Sequence, residues 1–497
     1  MPVPVISVAQ MREWEKATWA AGQTEAEVIR RVGGKVAERA LQMTHPGDAI
    51  LILAGKGHNG DDARAAKAFL SDRKIVLLDV KNPQAALREL QLSAGVSPAH
   101  GGRQREPSAD FADAGRRDAC PTLIIDGLFG IGLSRPLDKH WQKILAAVNE
   151  SKIPVLAVDT PSGLNAETGQ PEGAAIEASV TLTVGAPKIG MLQQKAWPYV
   201  GRLEVAEGVG LVPCPHQSEL NWTLPGDFAG FPPRRNVAGH KGSFGHLAMI
   251  AGSLGYHGAS VLAARGAQRA QPGLITLYPQ KSVYHAVASQ LQAVMVSVWK
   301  PGLKFAETTT AILIGPGLAG LESTKELKSA TRRLWRRPAR EASLPMVVDA
   351  SALDWLAPHA MGKNEIRVVT PHPGEAARML GKTVQRVQAN RPHAVREISR
   401  RFGDCWVVLK GHQTLVGRST GEIYVNSSGN PHLAQGGSGD VLAGFIAGLL
   451  AQPALQTDVG KTLRFAVWQH GAAADVLEAT RKNWVVEDLV AQMADRR

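Results

Sequence analysis

The feature that most limits the fold is a series of short apolar runs that do not alternate with polar residues. In the first half these are Ala49-Ile50-Leu51-Ile52-Leu53-Ala54, Thr122 to Asp126, Pro154 to Asp159 and Ser179 to Val184, with Lys74 to Val80 joining them. A strand with one wet face alternates every second residue. Runs that stay apolar fit strands covered on both faces, as in a parallel sheet between two layers of helices. Helical patterns fall between them: Ser7 and Gln10 form a capping box ahead of Met11, Trp14 and Thr18, a second pattern runs from about Glu25 to Met43, and a third from Ala63 to Leu70. A further series, Gly245 to Ala251, Leu274 to Tyr278, Ala311 to Ile314, Met346 to Asp349, Arg367 to Thr370 and Cys405 to Lys410, predicts a second α/β domain. No sequence repeat relates the halves.

With 497 residues the chain exceeds one ordinary core. Pro213, Cys214, Pro215 and the polar residues up to Pro225 and Gly226 interrupt the pattern, so domains are expected at 1–212 and 227–497 with a linker at 213–226. The Gly-, Pro-, Ser- and Arg-rich stretch Gly95 to Asp118 is expected to be a solvated loop. Cys120, Cys214 and Cys405 lie too far apart in sequence to suggest a disulfide framework or a cysteine zinc site. No apolar run reaches the roughly 18 residues of a membrane span, and Met1 to Gln10 lacks the layout of a signal peptide, so a cytoplasmic protein without membrane partners is expected. Lys plus Arg number 56 against 44 Asp plus Glu, yet no basic run is interleaved with aromatics. Nucleic acid is therefore not an expected partner. Small polyanions account for the sign equally well, as does an Arg-rich proteome.

Near the C-terminus, Gln435-Gly436-Gly437-Ser438-Gly439-Asp440 precedes Val441, Leu442, Phe445, Ile446, Leu449 and Leu450 at helical spacing. That places Gly437 to Asp440 at a helix N-terminus, where unpaired N–H groups favour a phosphate. A carboxylate there is repelled by such a ligand unless it has work to do, such as taking a proton from an attacking hydroxyl. Otherwise Asp440 caps the helix and the glycines form a turn. Ligands of open parallel sheets lie beyond the carboxyl ends of strands. In the second half those ends read Ala251-Gly252-Ser253, Gly315-Pro316-Gly317, Asp349-Ala350-Ser351, Thr370-Pro371-His372-Pro373-Gly374-Glu375 and Lys410-Gly411-His412-Gln413-Thr414. Together they point to a nucleotide site.

Those motifs, with Lys241 to His246 and Leu254 to Ala259, resemble in order the ADP-dependent NAD(P)H-hydrate dehydratase family, over about residues 225 to 490. The resemblance implies a ribokinase-like α/β domain following an N-terminal Rossmann-like three-layer domain. It also implies that Asp440 activates the C6 hydroxyl of hydrated nicotinamide for phosphorylation by ADP or ATP, with Mg2+ accompanying the nucleotide. Ala259, Gly317 and His372 would line the hydrated-cofactor site. Lys410, Gly411, His412, Gln413, Thr414 and Gly439 would hold the adenine nucleotide.

The first half carries Gly55 to Asp62, Asp126 to Leu133 with Arg135-Pro136, and Asp159 to Asn165, each after an expected strand. It resembles the NAD(P)H-hydrate epimerase family over about residues 1 to 212. By that resemblance His58, Asn59, Gly60, Asp61, Asp62, Gly130, Ile131, Gly132, Leu133, Ser134, Arg135 and Pro136 contact the dinucleotide, and Asp159 does acid–base work at the hydrate carbon. Asn59, Asp126 and Ser162 offer hard oxygens that suit K+, which the family binds there. Two departures stand out: His58 replaces a usual Asn, and Asp61-Asp62-Ala63 replaces Gly-Asp-Gly. In the second domain Asp349-Ala350-Ser351 replaces Asp-Ala-Asp. The implied activity is a fused repair enzyme for NADHX and NADPHX, expected as a homo-oligomer. The rival reading is a small-molecule kinase of the same fold, with a non-catalytic N-terminal module.

Overall fold

A computed structural model describes residues 2–93, 121–319, 324–336, 344–358 and 365–493. The stretch 95–118, expected to be a loop, lies outside them. The chain divides into two compact units, Val3–Ser218 and Glu219–Arg497, with Met1–Pro2 grouped with the second.

In the first unit six parallel strands run in the order Lys74–Asp79, Ala49–Ala54, Leu123–Gly127, Val155–Val158, Val180–Val184, Arg202–Ala206. The non-alternating runs are explained by what lies on each face. Ile50, Ile52, Leu123, Ile125, Leu156 and Val158 pack with Val32, Val36 and Ala40 of the helix Glu25–Met43. Leu51, Leu53, Ile124, Val155 and Ala157 pack on the opposite face with Ile144 and Val148 of the helix Lys139–Glu150. Neighbouring residues of one strand thus belong to two cores, giving the expected three layers. The helix expected from Ala63 begins earlier, at His58–Ala66, followed by a 3-10 turn Lys67–Phe69. The Gly-rich motif is its first turn and not a loop ahead of it.

In the second unit the strands lie in the order Leu220–Trp222, Ile423–Val425, Leu415–Gly417, Trp406–Leu409, Arg367–Val369, Met346–Val348, Ala311–Ile314, His246–Ile250, Leu274–Tyr278, Met295–Val296. From Trp406–Leu409 to Met295–Val296 all neighbours are parallel. The antiparallel strands Leu415–Gly417 and Ile423–Val425 extend the sheet. Residues 220–222, expected within the linker, form a strand pairing with Ile423–Val425. Among the described residues no helix is long and apolar enough to cross a membrane.

The helix Ser438–Leu450 is buried at every position from Val441 to Leu450, so it is a core element rather than an amphipathic cover. It lies unusually close to the helix His257–Ala270: a Cβ on Gly444 would sit 1.8 Å from the Ala263 carbonyl oxygen, and one on Gly448 2.7 Å from Ala270 Cβ. Backbone cannot yield to a methyl group at that distance. Gly444→Ala is therefore expected to cost about 3 kcal/mol of stability, the upper range for overpacking a tight core. The denaturant midpoint should fall without a change in slope.

Candidate active sites

The parallel register of the second unit brings its strand ends to one edge. Gly252 N donates to the Pro316 carbonyl (2.9 Å), Asp349 N to Ile314 (3.0 Å), Thr370 N to Val348 (3.2 Å) and Lys410 N to Pro371 (2.9 Å). Across this edge the Lys410 ammonium pairs with Asp349 Oδ1 at 2.8 Å and lies 3.9 Å from Glu375. Thr370 Oγ1 donates to the same Asp349 oxygen at 2.6 Å. Burial pulls the Lys410 pKa down, but the Asp349 and Glu375 carboxylates outweigh it and leave it raised.

Over this cluster stands the N-terminus of the helix Ser438–Leu450. Its N-cap is Gly437, at φ 95° with no side-chain cap, and a Cβ there would lie 2.4 Å from Leu262 Cδ1. Glycine alone accommodates both the left-handed backbone and the neighbour. Ser438 N donates to the Gln435 carbonyl at 3.3 Å, while the N–H groups of Gly439 and Asp440 stay open for a ligand. A Cβ on Gly439 would lie 3.4 Å from Lys410 Nζ, so the ammonium sits directly under this turn. Asp440 occupies the first turn and is pushed up to about 7, by burial first and Asp349 next, with Lys410 pulling it back and Glu375 adding to the rise. His470 Nε2 lies 3.1 Å from the Ser438 carbonyl, bracing the turn from behind.

The remaining expected residues border the same edge. Ser253 Oγ donates to the Gly317 carbonyl at 2.6 Å, and Gly317 lies against Ala259 in the first turn of its helix. His372 caps the helix Pro373–Leu380 through Nδ1, and its own N–H donates to Glu375. The loop Gly411 to Thr414 is held by a residue the sequence did not flag. The buried Arg391 guanidinium donates to the carbonyls of His412, Gln413 (3.2 Å), Leu409 (3.2 Å) and Lys410 (3.5 Å). Nothing in the sequence signals it, since it lies on the helix Arg391–Arg401, remote along the chain from both the Thr370 to Glu375 and the Lys410 to Thr414 motifs. Asp349 and Glu375 were visible in the motifs but were not assigned.

In the first unit a cavity of about 1010 Å³ opens beyond the strand ends, at the upper end of the size of ligand pockets, about 300–1,000 Å³. His58, Asn59, Asp62, Gly130, Ile131, Gly132, Leu133, Ser134, Arg135, Pro136 and Asp159 line it. Gly60 and Asp61 do not. Gly60 packs under the Gly55 backbone, and Asp61 turns to Arg64 at 2.7 Å, which also binds Asp79 at 2.6 Å. The extra carboxylate at 61 thus pairs outside the cavity with a guanidinium it shares with Asp79. Asp62 faces inward and is pushed up to about 8, by burial first and then by Asp159, Asp61, Glu15 and Glu25. Glu15, unflagged by the sequence, also lines the cavity and is raised by burial and by Asp159.

Asp126 is fully buried and raised to about 6 by burial, with hydrogen bonds from Ser162 opposing the rise. Ser162 Oγ and N donate to it at 2.6 and 2.8 Å. Asn59 joins only indirectly: its Nδ2 donates to the Phe129 and Val158 carbonyls at 3.0 and 2.6 Å, while Phe129 N donates to Ser162 Oγ at 2.9 Å. Among the described residues no cationic side chain pairs with Asp126, and no cluster of three His, Cys, Asp or Glu forms a metal site. A buried carboxylate with the Ser162 hydroxyl oxygen against it fits the hard-oxygen donor chemistry of a monovalent cation.

The molecule is a two-domain α/β enzyme with a candidate acid–base site at the sheet edge of each domain. Residues 247–495 match the family described as NAD(P)H-hydrate dehydratase, and residues 22–190 the family described as YjeF-related protein N-terminus. The bifunctional NAD(P)H-hydrate repair enzyme Nnr of Gloeobacter violaceus is 33% identical over 96% of this chain and 94% of its own length. Its Escherichia coli namesake is 32% identical over 92% and 86%. A crystal structure of the ADP/ATP-dependent NAD(P)H-hydrate dehydratase from Bacillus subtilis, co-crystallized with ATP/Mg2+, is 31% identical, covers 52% of this chain and 91% of that one, and has a TM-score of 0.47. The chain belongs to the bifunctional NAD(P)H-hydrate repair enzyme family.

Arg391→Met should leave four carbonyls of the 409–413 segment without their donor. A loss of about 3 kcal/mol is expected, the scale of losing hydrogen bonds to a charged group. Limited proteolysis should then cut first at residues 411–414.

Proposed function

We propose that each domain carries out one step in repairing hydrated NADH and NADPH. In the C-terminal domain Asp440 takes the proton of the C6 hydroxyl, whose oxygen accepts the terminal phosphoryl group of ADP or ATP. The C6–O bond then breaks with the ring nitrogen supplying electron density, a C5 proton is lost, and NAD(P)H, phosphate and AMP or ADP result. Phosphorylation converts a poor leaving group into a good one. Lys410 and the open N–H groups at Gly439 hold the phosphates, Gly411 to Thr414 the adenine nucleotide, and Ala259, Gly317 and His372 the hydrated ring. Mg2+ carried by the nucleotide neutralises phosphate charge when bound; Asp349 and Glu375 are already engaged by Lys410, Thr370 and the His372 N–H.

The observation that carries this reading is the Asp440 carboxyl in an uncapped helix turn directly over Lys410. A base with a pKa near the working pH is the most effective kind.

In the N-terminal domain Asp159 does acid–base work at C6, interconverting the R and S hydrates, while the glycine-rich turns from His58 and from Gly130 hold the dinucleotide. Asp126 and Ser162, with Asn59 turning its side-chain oxygen inward, would hold K+, which would supply the charge that the buried Asp126 lacks. Coupling the two steps lets a dehydratase selective for the S epimer consume both.

The test is incubation of mixed NADHX epimers with ADP, read at the absorbance band of reduced nicotinamide. Recovery of all the NADH supports both activities; recovery that stops at the S fraction removes the epimerase. A phosphorylated product in place of NADH and free phosphate would instead mean a kinase. Asp440→Asn should lower NADH recovery on the order of 10³-fold, within the range for a general base, while nucleotide affinity stays within a few-fold of the parent.

The pH dependence has a definite sign. Asp440 accepts a proton only when ionised, so kcat/KM for dehydration should rise with pH through about 7. A rate flat between pH 5.5 and 8.5 excludes Asp440 as the base.

A further inference from the structure

Asp159 sits just beyond the strand Val155–Val158 with a left-handed backbone, φ 61°, a conformation that a non-glycine residue keeps only when its surroundings enforce it. Its two carboxylate oxygens have very different surroundings. Oδ1 accepts three hydrogen bonds, from Lys188 Nζ (2.5 Å), Val184 N (2.9 Å) and Thr183 Oγ1 (3.0 Å). Oδ2 has no hydrogen-bond partner among the described residues, and Asp159 lines the cavity.

Lys188 is fully buried and does not line that cavity. Its other hydrogen bonds go to Thr183 Oγ1 at 2.9 Å and the Val184 carbonyl at 3.1 Å, so the ammonium is fully occupied behind Asp159. Stability alone does not account for such a residue, because a buried ion pair is commonly no better than apolar side chains of the same volume. Its effect on the cavity does. Five carboxyl groups, Glu15, Glu25, Asp62, Asp138 and Asp159, border that space. Among the described residues, Asp159 is the one of the five paired with a lysine, and Glu25 meets only the His58 imidazole.

We infer that Lys188 is a positioning residue for epimerisation: with Val184 N and Thr183 it fixes Asp159 Oδ1, so that Oδ2 alone meets the substrate carbon and its hydroxyl. Rotation of the carboxylate would break three bonds at once, so the orientation is set before substrate arrives. Lys188 acts through Asp159 and touches no substrate. The inference rests on the epimerase reading of this domain.

The experiment follows R-to-S interconversion of NADHX by the full chain without ADP, so that dehydration is silent. Lys188→Met should lower kcat on the order of 10²-fold with KM within about threefold, a loss of transition-state rather than ground-state interaction. Thr183→Val, which removes one neutral donor, should lower kcat about tenfold. Because Lys188 acts through Asp159, adding Lys188→Met to Asp159→Asn should change the residual rate by less than about threefold. A merely structural lysine would instead depress both backgrounds equally, along with the folded fraction seen in a thermal melt, and that result overturns the inference. So does a Lys188→Met enzyme with the parental kcat. If the parent chain itself shows no interconversion above the spontaneous rate, the epimerase reading falls and this inference with it. If the parent is active, Asp159→Asn is inactive and Lys188→Met is normal, the inference alone falls.

Discussion

The catalytic edge of the second domain depends on how closely two helices approach. The glycines at 444 and 448 let the helix Ser438–Leu450 lie against Ala263, Ala267 and Ala270 of the helix His257–Ala270, backbone on backbone. Because the helix from Val441 on is buried all round, it cannot slide or rotate without exposing apolar surface to water or opening a void, both costly in a close-packed interior. Its N-terminus is therefore fixed relative to the sheet, and with it the uncapped turn carrying Gly439 and Asp440. The precision of the site comes from small residues remote from the chemistry.

At that edge three carboxyls, Asp349, Glu375 and Asp440, share one lysine. Lys410 commits its ammonium to Asp349, at 2.8 Å, and is more distant from Glu375. Asp440 is raised by its burial first and by Asp349 next, and Lys410 offsets only part of that rise. On the proposed reading the same arrangement lets a base coexist with a phosphate site. A carboxyl raised to about 7 carries less negative charge near neutral pH than an ordinary carboxylate and so repels an incoming polyphosphate less, yet it still ionises readily enough to take a proton from a hydroxyl.

Most of this edge was legible in the sequence because one rule reaches it: in a parallel sheet chemistry gathers after the strands, and the strands could be recognised from apolar runs buried on both faces. Applied to Val180–Val184 the same rule reaches Gly185 to Lys188, but a lysine there reads as solvated, since lysines are seldom buried. Only the fold shows it behind Asp159. Arg391 was invisible for another reason: it acts on the 409–413 loop from a helix, across space rather than along the chain. The strands Leu220–Trp222, Leu415–Gly417 and Ile423–Val425 are three residues each, too short for periodicity to register, and the first is hidden between prolines 213, 215 and 225. The strand Arg202–Ala206 is an edge strand with Arg and Glu half in solvent, so it lacked the apolar signature of its neighbours.

On the proposed reading the two domains keep a reactive carboxyl available by opposite means. Asp440 has an imperfect counterion and gains basicity from burial and from its acidic neighbours. Asp159 has a committed counterion and gains direction, one oxygen anchored and the other open. The difference suits the tasks. Transfer of phosphate needs a base that is strong at the moment a polyanion arrives. Interconversion of two epimers needs a group whose reacting oxygen is held at one carbon whichever epimer arrives. The sequence departures in the first domain are compatible with that demand. Arg64 pairs with Asp61 outside the cavity, and Ala63 is accommodated because the facing residue is Gly127, where a Cβ would lie 2.5 Å from the Ala63 methyl. The changes at 61 and 63 thus lie outside the space that Asp159 faces, whereas His58 lines it.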